Sequence, residues 1–216
     1  MTTLHLCFDQ IVQGSFDLKP FNLLFVFQVN CPGCFIYGFP LVNQLFWRYQ
    51  ESNIGVFGLA TAFEDFEYNT PDNVKRLLMK QETVGMTRHS IGEQYPQPID
   101  FPIAIDRPLT EHDLSSPQNL DVLKQAIAHF DDLPASQQES IRQQLHRYVQ
   151  HAGQTSATFM FNRLPGTPTF LLADQTLAIK ESWFGHQPEA RVIELLDHYA
   201  SRYNYAARDT DHVSIA

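Results

Sequence analysis

The sequence predicts an α/β fold, in which a central mixed sheet is flanked by helices, and three observations carry this prediction. Two short apolar runs, 23–29 and 54–61, are rich in strand-forming residues and continuous, as in strands buried on both faces. Apolar residues at helical spacing lie between them, which indicates a β-α-β unit with a parallel pair. Late in the chain, the runs 169–172 and 177–183 flank a tight turn and predict an antiparallel hairpin.

The first helix is predicted from about residue 33 to 50. Pro40 falls inside it and is expected to kink it, because proline lacks the N–H that a helix interior requires. A second helix is predicted after Thr70-Pro71-Asp72, which combines an N-cap residue, a proline at the first helical position and an acid in the first turn. Residues 84–100, which contain two glycines and two prolines, are predicted to form a loop before a strand over 101–106.

Residues 107–155 differ from the rest, because they are polar and show helical but no strand periodicity. Asp131-Asp132-Leu133-Pro134 divides them, and Ser136-Gln137-Gln138-Glu139 has the form of a capping box. We interpret the region as a helical hairpin inserted into a single domain over residues 1–216. The core resumes at 158–161, and a terminal helix is predicted to start at Gln187-Pro188-Glu189.

Composition excludes several classes of function. The 216 residues carry a formal charge of −9, which argues against nucleic acid and anionic membrane surfaces as partners. The sequence contains no 18-residue apolar stretch, and its first residues lack the basic and apolar regions of an export signal, so we expect a cytoplasmic protein. Neither a GxGxxG nor a GxxxxGK[ST] pattern occurs, and no cofactor is expected.

Chemistry is indicated by two of the three cysteines, which form the sequence Cys31-Pro32-Gly33-Cys34 between the first strand and the first helix. The first thiol then lies at a helix N-terminus, where free N–H groups and the helix dipole stabilise a thiolate. The second lies one turn later, close enough to attack a mixed disulfide. Cys31 is therefore the candidate nucleophile and Cys34 the candidate resolving thiol.

Other interpretations of this pair stay open. The same spacing forms half of a zinc site, which would need two more ligands, such as Cys7 and a histidine. Two buried cysteines with no chemical role are a further alternative, because free cysteine is often a small core residue. Cys7 itself lies outside any motif.

The strand–CxxC–helix order, followed by a β-α unit and by Gly166-Thr167-Pro168-Thr169 before a hairpin and terminal helix, resembles the thioredoxin superfamily. The stretch from Gly166 to Leu172 looks most like the TlpA-like redoxins, and helical insertions are known in the DsbA type. The resemblance covers about residues 15–106 and 157–203, and leaves the insertion unexplained. It implies a thioredoxin-like fold with a cis proline at Pro168 beside the two cysteines.

The resemblance also implies roles for individual residues. Cys31 and Cys34 match the catalytic pair, while Thr167 and Pro168 match the segment whose main chain pairs with an extended substrate. Asn30 stands where thioredoxins usually have tryptophan, and we expect it to contact substrate as well. Phe25 stands where thioredoxin has a buried acid. A general base must then come from elsewhere, such as Glu64, Asp65 or water.

We therefore expect a thiol–disulfide oxidoreductase that acts on protein or small-molecule disulfides and receives electrons from a thiol or a reductase. A peroxiredoxin-like peroxidase is one alternative, but such enzymes place threonine three residues before the reactive cysteine, where this chain has Gln28. The non-enzymatic alternative is a binding module in which the insertion covers Cys31 and the cysteine pair is a redox switch.

Overall fold

A six-stranded mixed sheet forms the centre of the computed structural model, which describes residues 2–114, 116–125, 130–152 and 154–210. The strand order is β1-β4-β3-β2-β7-β8, and a separate two-stranded sheet joins β5 to β6. The strands are β1 (Phe8–Gln13), β2 (Phe21–Phe27), β3 (Ile54–Ala60), β4 (Ile103–Asp106), β5 (Pro108–Leu109), β6 (Thr155–Ser156), β7 (Thr169–Asp174) and β8 (Ile179–Phe184).

Helices cover both faces of this sheet. They are α1 (Phe39–Tyr49), α2 (Pro71–Lys80), α3 (Gly85–Ile91), α4 (Glu111–Leu114), α5 (Pro117–Gln125), α6 (Ala135–Ala152), α7 (Ala157–Phe161) and α8 (Glu189–Thr210). The predicted parallel pair is confirmed, since β2 lies parallel to β3. The predicted hairpin is confirmed as the antiparallel pair β7 and β8. Together they make the mixed sheet that the sequence predicts.

The core is divided between the two faces of β2, because successive side chains of a strand point in opposite directions. Leu23, Phe25 and Phe27 point into the larger cluster, which also contains buried residues of α1, α2 and α8. Leu24 and Val26 point into a smaller cluster on the other face. The central strand is therefore buried on both sides, as its continuous apolar run predicts.

The helix that follows the cysteine pair is irregular in the turn before Pro40. Residues Cys34–Gly38 form a π-helical turn, in which the Phe39 N–H donates to the Cys34 carbonyl, and regular α-helix continues from Phe39. The proline ring would meet the carbonyl of the preceding turn in a regular helix, and a wider turn relieves that clash. Gly38 lies against Phe25 so closely that an added Cβ would be 2.5 Å from the ring.

The prediction of a loop over 84–100 is wrong for its first part, which forms α3. The helix has only seven residues, and no side chain within two residues of its start caps it. Its Met86 N–H instead donates to Asn30 Oδ1 over 2.6 Å. A cap supplied from 56 residues away cannot be detected from the local pattern.

Between β5 and β6 the chain is helical, as the sequence predicts for 107–155, but it holds more than two helices. The short helix α4 contacts both α5 and α6. The connection over 126–129 lies outside the described residues, as do positions 115 and 153. No helix in the described ranges has both the length and the apolar character needed to cross a bilayer.

The N-terminal segment, which the sequence analysis left unassigned, runs along the sheet from one side to the other. Near its start, Leu4 N–H donates to the Leu177 carbonyl, and Ile179 N–H donates to the carbonyl of Thr2. At its other end β1 pairs antiparallel with β4. Between these points Leu4 is buried in the smaller core cluster. Residues 2–13 thus run from the β7–β8 turn to the opposite edge of the sheet, where they form β1.

Candidate active site

The two cysteines of the motif lie at the end of β2, where the chain turns into its first helix. Cys31 is half-buried and Cys34 is completely buried, and both are free thiols. The backbone N–H of Cys34 donates to Cys31 Sγ over 3.2 Å. The helix start therefore directs a hydrogen-bond donor at the first sulfur, as expected for a thiolate at this position.

The two thiols differ strongly in acidity. A hydrogen bond with the Cys34 side chain, assisted by the backbone N–H groups of Cys34 and Gly33, lowers the pKa of Cys31 to about 7 in spite of its partial burial. Complete burial and the neighbouring Cys31 raise the pKa of Cys34 well above its ordinary value. The half-exposed sulfur is therefore the more readily ionised of the two, and the buried one favours the thiol form.

A second segment, Thr167–Pro168, packs directly against the pair. Cys31 Sγ lies 3.4 Å from the carbonyl oxygen of Thr167. The bond between Thr167 and Pro168 is cis, and Gly185 N–H donates to the Pro168 carbonyl over 2.8 Å. The fold thus brings four of the five predicted site residues, Cys31, Cys34, Thr167 and Pro168, into one small region.

Asn30, the fifth predicted residue, is adjacent in sequence, but its polar atoms are occupied by other parts of the chain. Its side-chain Nδ2 donates to Asp65 Oδ2 over 2.9 Å, and its Oδ1 accepts from Met86 N–H. Its own backbone N–H donates to Asn69 Oδ1. Its buried side chain thus links α3 and the loop after β3 to the segment that precedes Cys31.

Replacing Gly85 with alanine is expected to disturb this connection. Gly85 has a φ of +48°, and an added Cβ would overlap Asn30 Oδ1. The left-handed backbone alone costs about 1–2 kcal/mol for a residue with a Cβ, and the overlap adds to it. Gly185→Ala is the control, because Gly185 also has a positive φ, of +75°, but has nothing within 4 Å of the added Cβ. Urea unfolding should show the larger loss for Gly85→Ala, and equal losses would contradict the proposed packing.

Gln28 is a further residue of the site. In the sequence it was notable only because peroxiredoxins have threonine at this position. Gln28 is buried, and its Oε1 accepts a hydrogen bond of 3.1 Å from Thr167 Oγ1. Its Nε2 donates to the Glu64 carbonyl over 3.3 Å. A signal was available, since a polar residue at the end of a continuous apolar strand usually has a specific partner.

The candidate general bases are placed differently from each other. Asp65 lies at the site through its hydrogen bond to Asn30, whereas Glu64 presents its main-chain carbonyl to Gln28. A further carboxyl, that of Asp106, is buried at the end of β4 and was not predicted. Burial raises the pKa of Asp106 to about 6, while Thr61 Oγ1 and the N–H groups of Thr158 and Phe159 donate to it.

Cys7 lies apart from the pair. Its backbone N–H donates to Thr158 Oγ1, and burial raises the pKa of its thiol. Within the described ranges, no three histidine, cysteine or acidic side chains are grouped in a way that could hold a metal ion.

Comparison with known proteins identifies the fold that this chain shares with solved structures. No protein-family model and no curated protein matches the sequence. Among solved structures, a thiol-disulfide isomerase from Corynebacterium glutamicum is similar over 93% of this chain and 96% of that one, with 22% identity and a TM-score of 0.58. A thioredoxin-like superfamily protein is similar over 92% and 96%, with 20% identity and a TM-score of 0.57. The predicted fold class is confirmed, and the chain has the thioredoxin-like fold.

Proposed function

We propose that this protein is a thiol–disulfide oxidoreductase that exchanges disulfides through Cys31 and Cys34. The observation that carries the proposal is the contrast between the two thiols. A half-exposed sulfur with a pKa near 7 lies next to a completely buried one with a raised pKa. An attacking thiol works best when its pKa is close to the ambient pH. The name of the Corynebacterium relative is in keeping with this activity.

The reaction consists of two exchanges. The Cys31 thiolate attacks one sulfur of a substrate disulfide, forms a mixed disulfide and releases the other substrate sulfur, which takes up a proton. Cys34 then loses its proton and attacks Cys31 Sγ, which releases the second substrate thiol. The substrate gains two electrons, and Cys31–Cys34 becomes a disulfide. A thiol or a reductase must then supply two electrons to complete the cycle.

Substrate would bind beside the sulfur at Thr167 and Pro168. The Thr167 carbonyl contacts Cys31 Sγ, and Thr167 is half-buried, so its main chain can pair with an extended segment. We propose protein or small-molecule disulfides as substrates. The net charge of −9 gives no support for a nucleic-acid or anionic membrane partner.

The two alternative functions receive less support from the geometry. A binding module closed by the insertion would bury Cys31, but Cys31 is partly exposed and its pKa is lowered. A peroxidase needs a hydroxyl near the reactive sulfur from the residue three positions earlier. Gln28 occupies that position and directs its amide towards Thr167 and Glu64. Rapid consumption of peroxide by the reduced protein would favour the peroxidase over our proposal.

Reduction of insulin, or of a small aromatic disulfide, tests the proposal directly. The reduced protein should reduce either substrate, and a thiol donor should sustain turnover. Absence of exchange with every donor would refute it. The reduction potential of the Cys31–Cys34 couple then gives the direction, since a value near −270 mV indicates a reductant and one near −120 mV an oxidant.

The acidity of Cys31 leads to a prediction about pH. Because only the thiolate reacts with iodoacetamide, alkylation of Cys31 should rise with pH through a midpoint of about 7 and fall roughly tenfold per unit below it. Replacing Cys34 with alanine removes the largest contribution and should move the midpoint upwards. The measurement uses a Cys7→Ser background, followed by mass spectrometry. A wild-type midpoint at an ordinary thiol value would contradict the prediction.

A further inference from the structure

Gln28 contacts both halves of the site. Its side chain, only 1% exposed, accepts the Thr167 hydroxyl through Oε1 and donates to the Glu64 carbonyl through Nε2. Its main chain hydrogen-bonds to the thiol of Cys34. Gln28, which directly follows β2, therefore contacts the resolving thiol through its main chain. It contacts Thr167, beside the nucleophile, through its side chain.

The hydrogen bond between Gln28 and Thr167 can control the position of the Thr167 peptide unit. Its carbonyl lies 3.4 Å from Cys31 Sγ, so a small rotation of this peptide unit changes what an incoming chain meets. The following residues are held from the other side, where Gly185 N–H donates to the Pro168 carbonyl. Thr169 Oγ1 also donates to the Gly166 carbonyl. On the β2 side, the Thr167 side chain is held by Gln28.

We propose that Gln28 is a positioning residue that fixes Thr167 for main-chain pairing with an extended polypeptide, and thereby favours peptide disulfides over compact ones. The proposal rests on the disulfide exchange proposed above. Gln28 contacts neither the reacting sulfur of Cys31 nor the substrate. Its effect should therefore appear only with substrates that are long enough to pair with Thr167.

The physical cost of losing the contact is that of one neutral hydrogen bond. Without Gln28 Oε1, the half-exposed Thr167 hydroxyl can turn to water and its peptide unit gains freedom, which substrate pairing must then remove. A neutral hydrogen bond corresponds to about a 3- to 10-fold effect. When Gln28 alone is changed, the chemistry at Cys31 is not expected to change, because the hydrogen bonds from the helix start remain.

The test compares two substrates with the same chromophoric leaving group, an aromatic thiol in a disulfide with cysteine alone or with a central cysteine of a short linear peptide. Gln28→Leu and Thr167→Val each remove one side of the hydrogen bond, but the Thr167 side chain also interacts with Cys31. Gln28→Leu should lower kcat/KM about 3- to 10-fold for the peptide and leave the cysteine substrate near the wild-type value, whereas Thr167→Val should slow both substrates. On the peptide, the double variant should lose no more than Thr167→Val alone, because both changes remove the same contact.

Leu24→Ala is the control for a general loss of stability, since Leu24 is buried on β2, the strand that precedes Gln28, but does not contact the site. It should leave the ratio of the two kcat/KM values unchanged. Gln28→Asn shortens the side chain so that its oxygen no longer reaches Thr167, and it keeps the test valid if Gln28→Leu folds poorly. Equal losses on both substrates in the Gln28 variants, or additive losses on the peptide in the double variant, would overturn the proposal for Gln28 and leave the proposed function standing. A wild-type protein that reduces neither substrate would overturn the proposed function and this inference with it.

Discussion

Replacing Cys31 with serine should abolish disulfide exchange, whereas replacing Cys34 with serine should stop it halfway and leave substrate attached to the protein. A serine hydroxyl cannot replace the thiolate nucleophile at neutral pH. In Cys34→Ser the first attack still occurs, but no buried thiol remains to release the mixed disulfide. Mass spectrometry without reductant should show the mass of one substrate thiol added at Cys31.

The control for this experiment is Cys7→Ser, which removes the third cysteine. Cys7 is placed by its main chain against Thr158, away from the pair. Its replacement should leave both exchange and the trapped adduct unchanged. Attachment at Cys7, or an adduct that forms equally well in Cys31→Ser, would contradict the assignment of the nucleophile.

Replacing Phe25 is expected to produce the largest loss of stability. Its ring is completely buried and packs against Phe27, Phe39, Phe101 and Phe170 at centroid distances of 5.1–6.3 Å. Phe25→Ala should cost about 3–5 kcal/mol, which is a large part of the 5–15 kcal/mol typical of a domain. Urea unfolding measures the difference.

Two further variants sharpen this prediction. Phe25→Asp restores the acid that thioredoxin has at this position, but here it would bury a carboxylate among aromatic rings, and we expect no folded protein. Phe8→Ala is the matched control, because Phe8 lies on an edge strand and is 38% exposed. It should cost clearly less than Phe25→Ala. A folded, stable Phe25→Asp variant would show that the aromatic cluster contributes less than its packing indicates.

The parts of the fold that could be predicted are those specified by local pattern. The runs that became β2 and β3 are buried on both faces, and Thr70 caps α2 by accepting the Asn73 N–H, as its sequence indicates. The strand β1 was missed because its exposed and half-buried residues show no regular alternation. Its position depends on pairing with β4, almost 100 residues away, which single-sequence patterns do not reveal.

In the site, too, local pattern predicts some residues, whereas others depend on distant contacts. Cys31 and Cys34 are recognisable because their spacing is itself a chemical pattern. The contacts of Gln28 and Asn30 could not be predicted from spacing, because their partners, Thr167 and Met86, lie far along the chain. An amide side chain has no preferred spacing to such partners. Its burial, and hence its need for them, becomes visible only when the fold is known.

The path of residues 2–13 across the sheet has a consequence for synthesis of the chain. Leu4 N–H donates to the Leu177 carbonyl, and the Thr2 carbonyl accepts from Ile179 N–H, so this segment has partners that lie far along the chain. Contacts of such large sequence separation form late and slow folding. During translation these residues have to wait until Leu177 and Ile179 have emerged. Until then Leu4, which is buried in the folded protein, stays exposed to water on the growing chain.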